Sequence, residues 1–144
     1  MGRYPRPATV VRQFVERINA HDVAGIVDLL APEHRFIDSL GTVFEGRDSL
    51  RAGWTGYLRM VPDYVIEIER LIDDGEAVFL IGHARGTYTH DGTMRPENAW
   101  RTPAAWMALV KRGQLTEWRV FADNEPIRQR MRSRLEAAGG WTDR

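Results

Sequence analysis

Cysteine is absent from the 144 residues, which removes disulfides, thiolate nucleophiles and cysteine metal sites. An excess of one charge is absent too: 20 basic residues, nearly all arginine, are scattered among 20 acidic ones. That balance calls for no nucleic acid and no acidic partner. The one arginine-dense run, residues 128–134, fits the solvated face of a polar helix. No apolar run approaches the roughly 20 residues that cross a bilayer, so no membrane partner is expected. The opening MGRYPRPATVV lacks the apolar core and cleavage site of a secretory signal, leaving the cytoplasm as the default address. Histidines at 21, 34, 83 and 90 have no i, i+4 or His-x-His relation, so no metal is expected. Gly82, Gly86 and Gly92 are spaced too widely for a phosphate loop. No cofactor is called for, and Ser39 has no recognisable triad partners.

What is present reads as one domain over residues 1–144, with its core in about 9–130. Val10, Val11, Phe14, Val15 and Ile18 recur at helical spacing and predict a helix over 8–19. Asp22 caps a second helix through residue 30, and Pro32 stops it. Residues 34–39 alternate as a short strand, with a turn at Leu40-Gly41 and a hairpin partner over 42–45. A third helix spans roughly 48–60, with Leu50, Trp54, Tyr57 and Leu58 along one side. From Tyr64 onward the period becomes two. A strand precedes the turn Asp73-Asp74-Gly75, and strands over 77–89, 100–110 and 115–122 pair as an antiparallel meander. A final helix covers 126 to about 137, and residues 141–144 read as frayed. Helices followed by strands predict an α+β fold, with helices packed on one face of a curved antiparallel sheet.

Val78, Leu80, Gly82, Ala84 and Gly86 share one strand face and become small in the middle, which leaves space beside the sheet. Phe36, Trp54, Tyr57, Trp106 and Trp118 can surround that space. An apolar, aromatic-lined pocket for a small organic molecule is the expectation, against the simpler reading of the same aromatics as plain core.

The stretches FVERINAHD, HRFIDSLGTVFEGRDSLRAGW, PDYVIEIERLIDDGEAV and RGQLTEWRVFAD, in this order of elements, resemble the nuclear-transport-factor-2-like superfamily and within it the SnoaL-like domains. The resemblance implies a cone-shaped, strongly bent sheet wrapped around N-terminal helices (a cystatin-like roll), a pocket at the wide end and a homodimer through the sheet. The superfamily hosts isomerases, hydratases, epoxide hydrolases, polyketide cyclases and non-catalytic binding domains. In the ketosteroid-isomerase branch the general base is an aspartate in a context similar to Phe36-Ile37-Asp38-Ser39-Leu40-Gly41, which maps that role onto Asp38. The oxyanion donors of that branch fall at Phe14 and at Ala104 or Ala105, which cannot donate. The charged residues of the epoxide hydrolases fall at Gly82, Ala84 and Val120. The acid of the polyketide cyclases has no counterpart in residues 100–110.

Asp38 is therefore the candidate catalytic residue, in apolar company that favours a proton on a carboxylate. The competing reading is an aspartate that binds the amides of its own turn. Phe14, Phe36, Trp54, Tyr57, Gly82, Ala84, Trp106, Trp118 and Val120 are the candidate ligand contacts, with Tyr57 a candidate donor. His34 shares the Asp38 face and is placed to form a dyad with it, although its position just after Pro32-Glu33 suits an exposed side chain. His83 is expected toward a dimer partner or solvent, and His21 is structural. Asp123-Asn124-Glu125 either rims the pocket or caps the final helix. Two functions remain open: a cofactor-independent enzyme using Asp38 for isomerisation, dehydration or cyclisation of a mostly apolar substrate, or a non-catalytic ligand-binding or assembly domain.

Overall fold

Pro7, with its fixed φ, opens the first helix, α1 (Pro7–Asn19), and the chain needs no side-chain cap there. Its apolar stripe is buried, with Val10, Val11, Phe14 and Ile18 fully so. In the computed structural model, which describes residues 3–137, α1 is followed by α2 (Val23–Asp28), β1 (Leu30–Ile37), β2 (Val43–Glu45), α3 (Arg47–Met60), β3 (Val65–Asp73), β4 (Val78–Thr87), a 3-10 turn (Pro96–Asn98), β5 (Ala99–Lys111), β6 (Gln114–Ala122) and α4 (Glu125–Ala137). The α+β class is as the sequence indicates. The expected frayed residues 141–144 lie outside the described residues.

The six strands form one curved, unclosed sheet in the order β2-β1-β6-β5-β4-β3. β3 to β6 make the antiparallel meander. β1 joins it parallel to β6, pairing Phe36 with Trp118, a pairing that no local pattern announces. α1, α2 and α3 fill the concave side, and Phe14 meets the Trp118 ring at 4.8 Å.

The second helix ends two residues earlier than its sequence pattern suggests. Asp22 caps it through Gly25 N at 2.9 Å, but Leu30, Ala31 and Pro32 already belong to β1. Apolar residues in a short run serve helix and buried strand equally, and here the sheet wins because Leu30 pairs with Leu115.

Gly82 does not make room for a pocket. A Cβ there would lie 1.9 Å from the Glu67 carbonyl oxygen, because β3 bulges between Ile68 and Arg70 and leans onto β4. At Gly86 a Cβ would strike Val61 at 2.3 Å. Both glycines permit the bend of the sheet, and of the middle of the strip only Ala84 borders open space.

Edge strand β3 is held by α1 and the residues just after it. The Asn19 side chain donates to Ile66 O at 3.0 Å and accepts from Ile66 N at 2.8 Å. His21, at φ 58°, reaches Tyr64 O at 2.8 Å. Asp63 accepts from both Thr87 N and Thr87 Oγ1. Together these bonds fix the corner between α3 and β3, and with it Tyr57 and Tyr64.

Candidate functional site

Between α3 and the concave face of β4, β5 and β6 lies a cavity of about 360 Å³, within the size range of small-molecule sites. Among the described residues eight aromatic side chains line it: Phe36, Phe44, Trp54, Tyr57, Tyr64, Trp100, Trp106 and Trp118. They come from distant segments whose inward faces converge. Trp100, Thr102, Ala104 and Trp106 alternate inward along β5, while Trp54 and Tyr57 share one side of α3. Edge-to-face contacts fix the wall, with Phe36 6.0 Å from Trp54 and Tyr57 5.0 Å from Tyr64.

Of the candidate contacts, Phe36, Trp54, Tyr57, Ala84, Trp106, Trp118 and Val120 border the cavity together with Asp38. Phe14 and Gly82 do not. Phe14 stands behind the wall, fully buried against Trp54 and Trp118, and Gly82 faces the β3 backbone. The lining also contains Tyr64, Trp100 and Thr102, which were not singled out from the sequence, and Asn124, from the segment expected either at the pocket rim or in the helix cap. Trp100 and Thr102 were accessible from the parity they share with Trp106. What the sequence did not show is that Asn124 Nδ2 donates to Ser39 Oγ at 2.7 Å, across 85 positions of chain.

Asp38 combines its two alternatives. Its Oδ1 accepts from Leu40 N and Thr42 N, both at 2.9 Å, so it is a turn-binding aspartate. The same half-buried side chain borders the cavity. Among the described residues Oδ2 has no protein hydrogen bond. Among the described residues it is the only acid in the lining, which contains no described lysine, arginine or histidine.

His34 does not join Asp38, and it is not exposed. It is fully buried, because β1 begins before Pro32 and β6 runs alongside. Its Nδ1 donates to Leu115 O at 2.9 Å, which leaves Nε2 as the unprotonated nitrogen, buried without a partner. Desolvation pulls its pKa below the ordinary 6.5, against the opposing effect of the Leu115 hydrogen bond. Unfolded chains therefore bind a proton that the folded ones refuse between the folded value and 6.5. Stability is full above pH 6.5 and falls as pH drops through that window, by at most about 1.4 kcal/mol per pH unit from this group. Urea titrations at pH 7 and pH 5 on wild type and His34→Leu are expected to show a shallower pH dependence in the variant. Equal dependence would mean that His34 takes up its proton alike in both states.

His83 lies on the convex face, where its Nδ1 is 2.8 Å from Glu69 Oε2. Asp123 binds Glu125 N at 2.9 Å at the start of α4, while Asn124 borders the cavity, so the DNE segment serves both roles. In the arginine run, Arg130 donates to Ala99 O at 3.1 Å and Arg132 pairs with Glu125.

A model of the SnoaL-like domain matches residues 11–118. The chain belongs to the SnoaL-like domain family. This SnoaL-like domain shares its fold with a provisionally assigned SnoaL-like polyketide cyclase from Shewanella denitrificans, at TM-score 0.75 and 17% identity over 89% of this chain and 99% of that one. An NTF2-like protein from Burkholderia thailandensis gives TM-score 0.74 and 20% identity over 88% and 98%. A Catenulispora acidiphila protein with a ketosteroid-isomerase-like fold, crystallised with trimethylamine, gives 0.68 and 14% over 81% and 85%. No curated protein matches the sequence. Among the described residues of the SnoaL-like domain, no helix is long and apolar enough to cross a membrane.

Proposed function

We propose that this SnoaL-like domain takes a mostly apolar small molecule into the cavity and moves a proton on it without a cofactor, with Asp38 as general base. The observation that carries this reading is a carboxylate that stands alone among the described residues of an aromatic cavity, one oxygen held by two turn amides and the other without a partner among them. A base held in a fixed orientation beside an apolar cavity suits proton abstraction from a carbon acid and its return elsewhere, the common step of isomerisation, dehydration and cyclisation. The chemical probe is 5-nitrobenzisoxazole, a planar carbon acid. Asp38 Oδ2 would take its ring C–H proton as the N–O bond breaks, giving the cyanophenolate. Turnover at the buffer rate, or turnover indifferent to Asp38→Asn, would remove the catalytic assignment.

A binding role without chemistry is the second reading. It is favoured by a penultimate strand, β5, that carries no acid, and by the trimethylamine held by the Catenulispora relative. Its mark is affinity for apolar ligands without conversion, unchanged in Asp38→Asn.

We also infer a homodimer through the convex face of the sheet. Phe79, Ile81 and Phe121 are 37%, 45% and 49% exposed, and Ile81 pairs with Ala105, which pairs with Phe121, so the patch is continuous. Light scattering is expected to give a dimer for wild type and a monomer for Ile81→Glu. A monomeric wild type would overturn the inference.

A further inference from the structure

Tyr57 sits in the last turn of α3, and Tyr64 lies just before β3. The bonds from Val61 N to Tyr57 O at 2.8 Å, from Tyr64 N to Val61 O at 3.1 Å and from His21 Nε2 to Tyr64 O at 2.8 Å hold the two backbones in one corner. Their rings are perpendicular, 5.0 Å apart, and both border the cavity. Among the described residues neither phenol oxygen has a hydrogen bond to the protein. Beside them the Trp100 ring lies 6.2 Å from Tyr64, and its indole N–H is buried without an acceptor.

Of the other described buried or half-buried lining groups, the indole N–H groups of Trp54, Trp106 and Trp118 also have no protein acceptor, whereas the remaining polar side chains each make at least one protein hydrogen bond. Asn124 Nδ2 donates to Ser39 Oγ, Thr102 Oγ1 donates to Asp123 O at 2.9 Å, and Asp38 Oδ1 holds its turn. Unmet donors therefore line the cavity wall, and at the Tyr57–Tyr64 corner two phenols stand side by side with a third donor, the Trp100 N–H, next to them. Buried polar groups in folded proteins are almost always paired, so a cluster of unpaired donors facing a cavity points to an acceptor brought in from outside.

We propose that Tyr57 and Tyr64, with the Trp100 N–H behind them, form the end of the cavity that receives a ligand oxygen, making the ligand a ketone, quinone or lactone rather than a hydrocarbon. This rests on reading the cavity as a small-molecule site and does not require Asp38 to be catalytic. Burial holds the pKa of both phenols above the ordinary 10, and for Tyr64 a charge on Tyr57 would add to the effect. They remain donors across the ordinary pH range. In a site built this way, a ligand that lacks the oxygen leaves the donors unpaired, which is how such sites reject analogues.

Two probes of similar shape test this: 2-acetylnaphthalene, which carries the oxygen, and 2-isopropylnaphthalene, which does not. Affinities are compared within each probe, between wild type and Tyr57→Phe/Tyr64→Phe, so that the probes' different water solubilities cancel. The ketone is expected to weaken about tenfold or more in the double variant, while the hydrocarbon changes less than about twofold. Equal effects on the two probes would overturn the donor corner and leave the cavity reading intact. Failure of both to bind wild type would overturn the cavity reading and this inference with it. Should the double variant not fold, the infrared carbonyl stretch of bound, carbon-13-labelled ketone decides. It is expected at lower frequency in wild type than in Tyr57→Phe or in hexane, and a hexane-like stretch in wild type overturns the proposal.

Discussion

Replacing Asp38 with Asn is expected to lower turnover of 5-nitrobenzisoxazole by about 10²–10⁴-fold, the usual contribution of a positioned general base. Asparagine isolates the base from the turn. Its side-chain oxygen can still accept from Leu40 N and Thr42 N, as Asp38 Oδ1 does, and only the free oxygen is replaced, by an amide nitrogen that cannot take a proton. Thermal stability should therefore stay near wild type. Asp38→Ala removes both functions and is expected to cost about 1–3 kcal/mol of stability as well, because two turn amides lose their acceptor. Measuring rate and melting temperature on both variants separates the roles. A fast Asp38→Asn enzyme leaves the turn role alone, and the domain is then a binding protein.

Phe14→Ala is expected to destabilise the domain by about 3–5 kcal/mol, a fall in melting temperature of roughly 10 °C or more for a chain of this size. Phe14 is fully buried on α1 and contacts Trp54 and Trp118 at once, so its removal opens a void behind the wall that nothing nearby is placed to fill. Phe36→Ala, on the cavity side of Trp54, gives up less burial and is expected to cost only about 1–2 kcal/mol while weakening apolar ligands. Urea denaturation and ligand titration of both variants check the distinction. Comparable stability losses would mean that Phe14 is not the support the packing makes it.

The sequence by itself determined the elements and their inward faces, since hydrophobic period is a local property. The stripe of α1, the alternation of β4 and β5, and the turn at Gly75 were legible one residue at a time. Asp38, Trp54, Tyr57, Trp106 and Trp118 were legible as a group because each lies on an inward face and Asp38 sits in a familiar motif. Tertiary structure decided what depends on a second segment. The parallel seat of β1 beside β6 brought Phe36 onto Trp118 and turned His34 from a surface expectation into a buried ring on Leu115 O. The bulge in β3 gave Gly82 to the bend of the sheet instead of to the ligand. The corner that sets Tyr57 against Tyr64 depends on bonds from α1, from the residues after it and from β4. Period two says which way a side chain points, but it carries no information about which backbone will stand opposite. That opposition decides whether a small residue borders a cavity or a neighbouring strand.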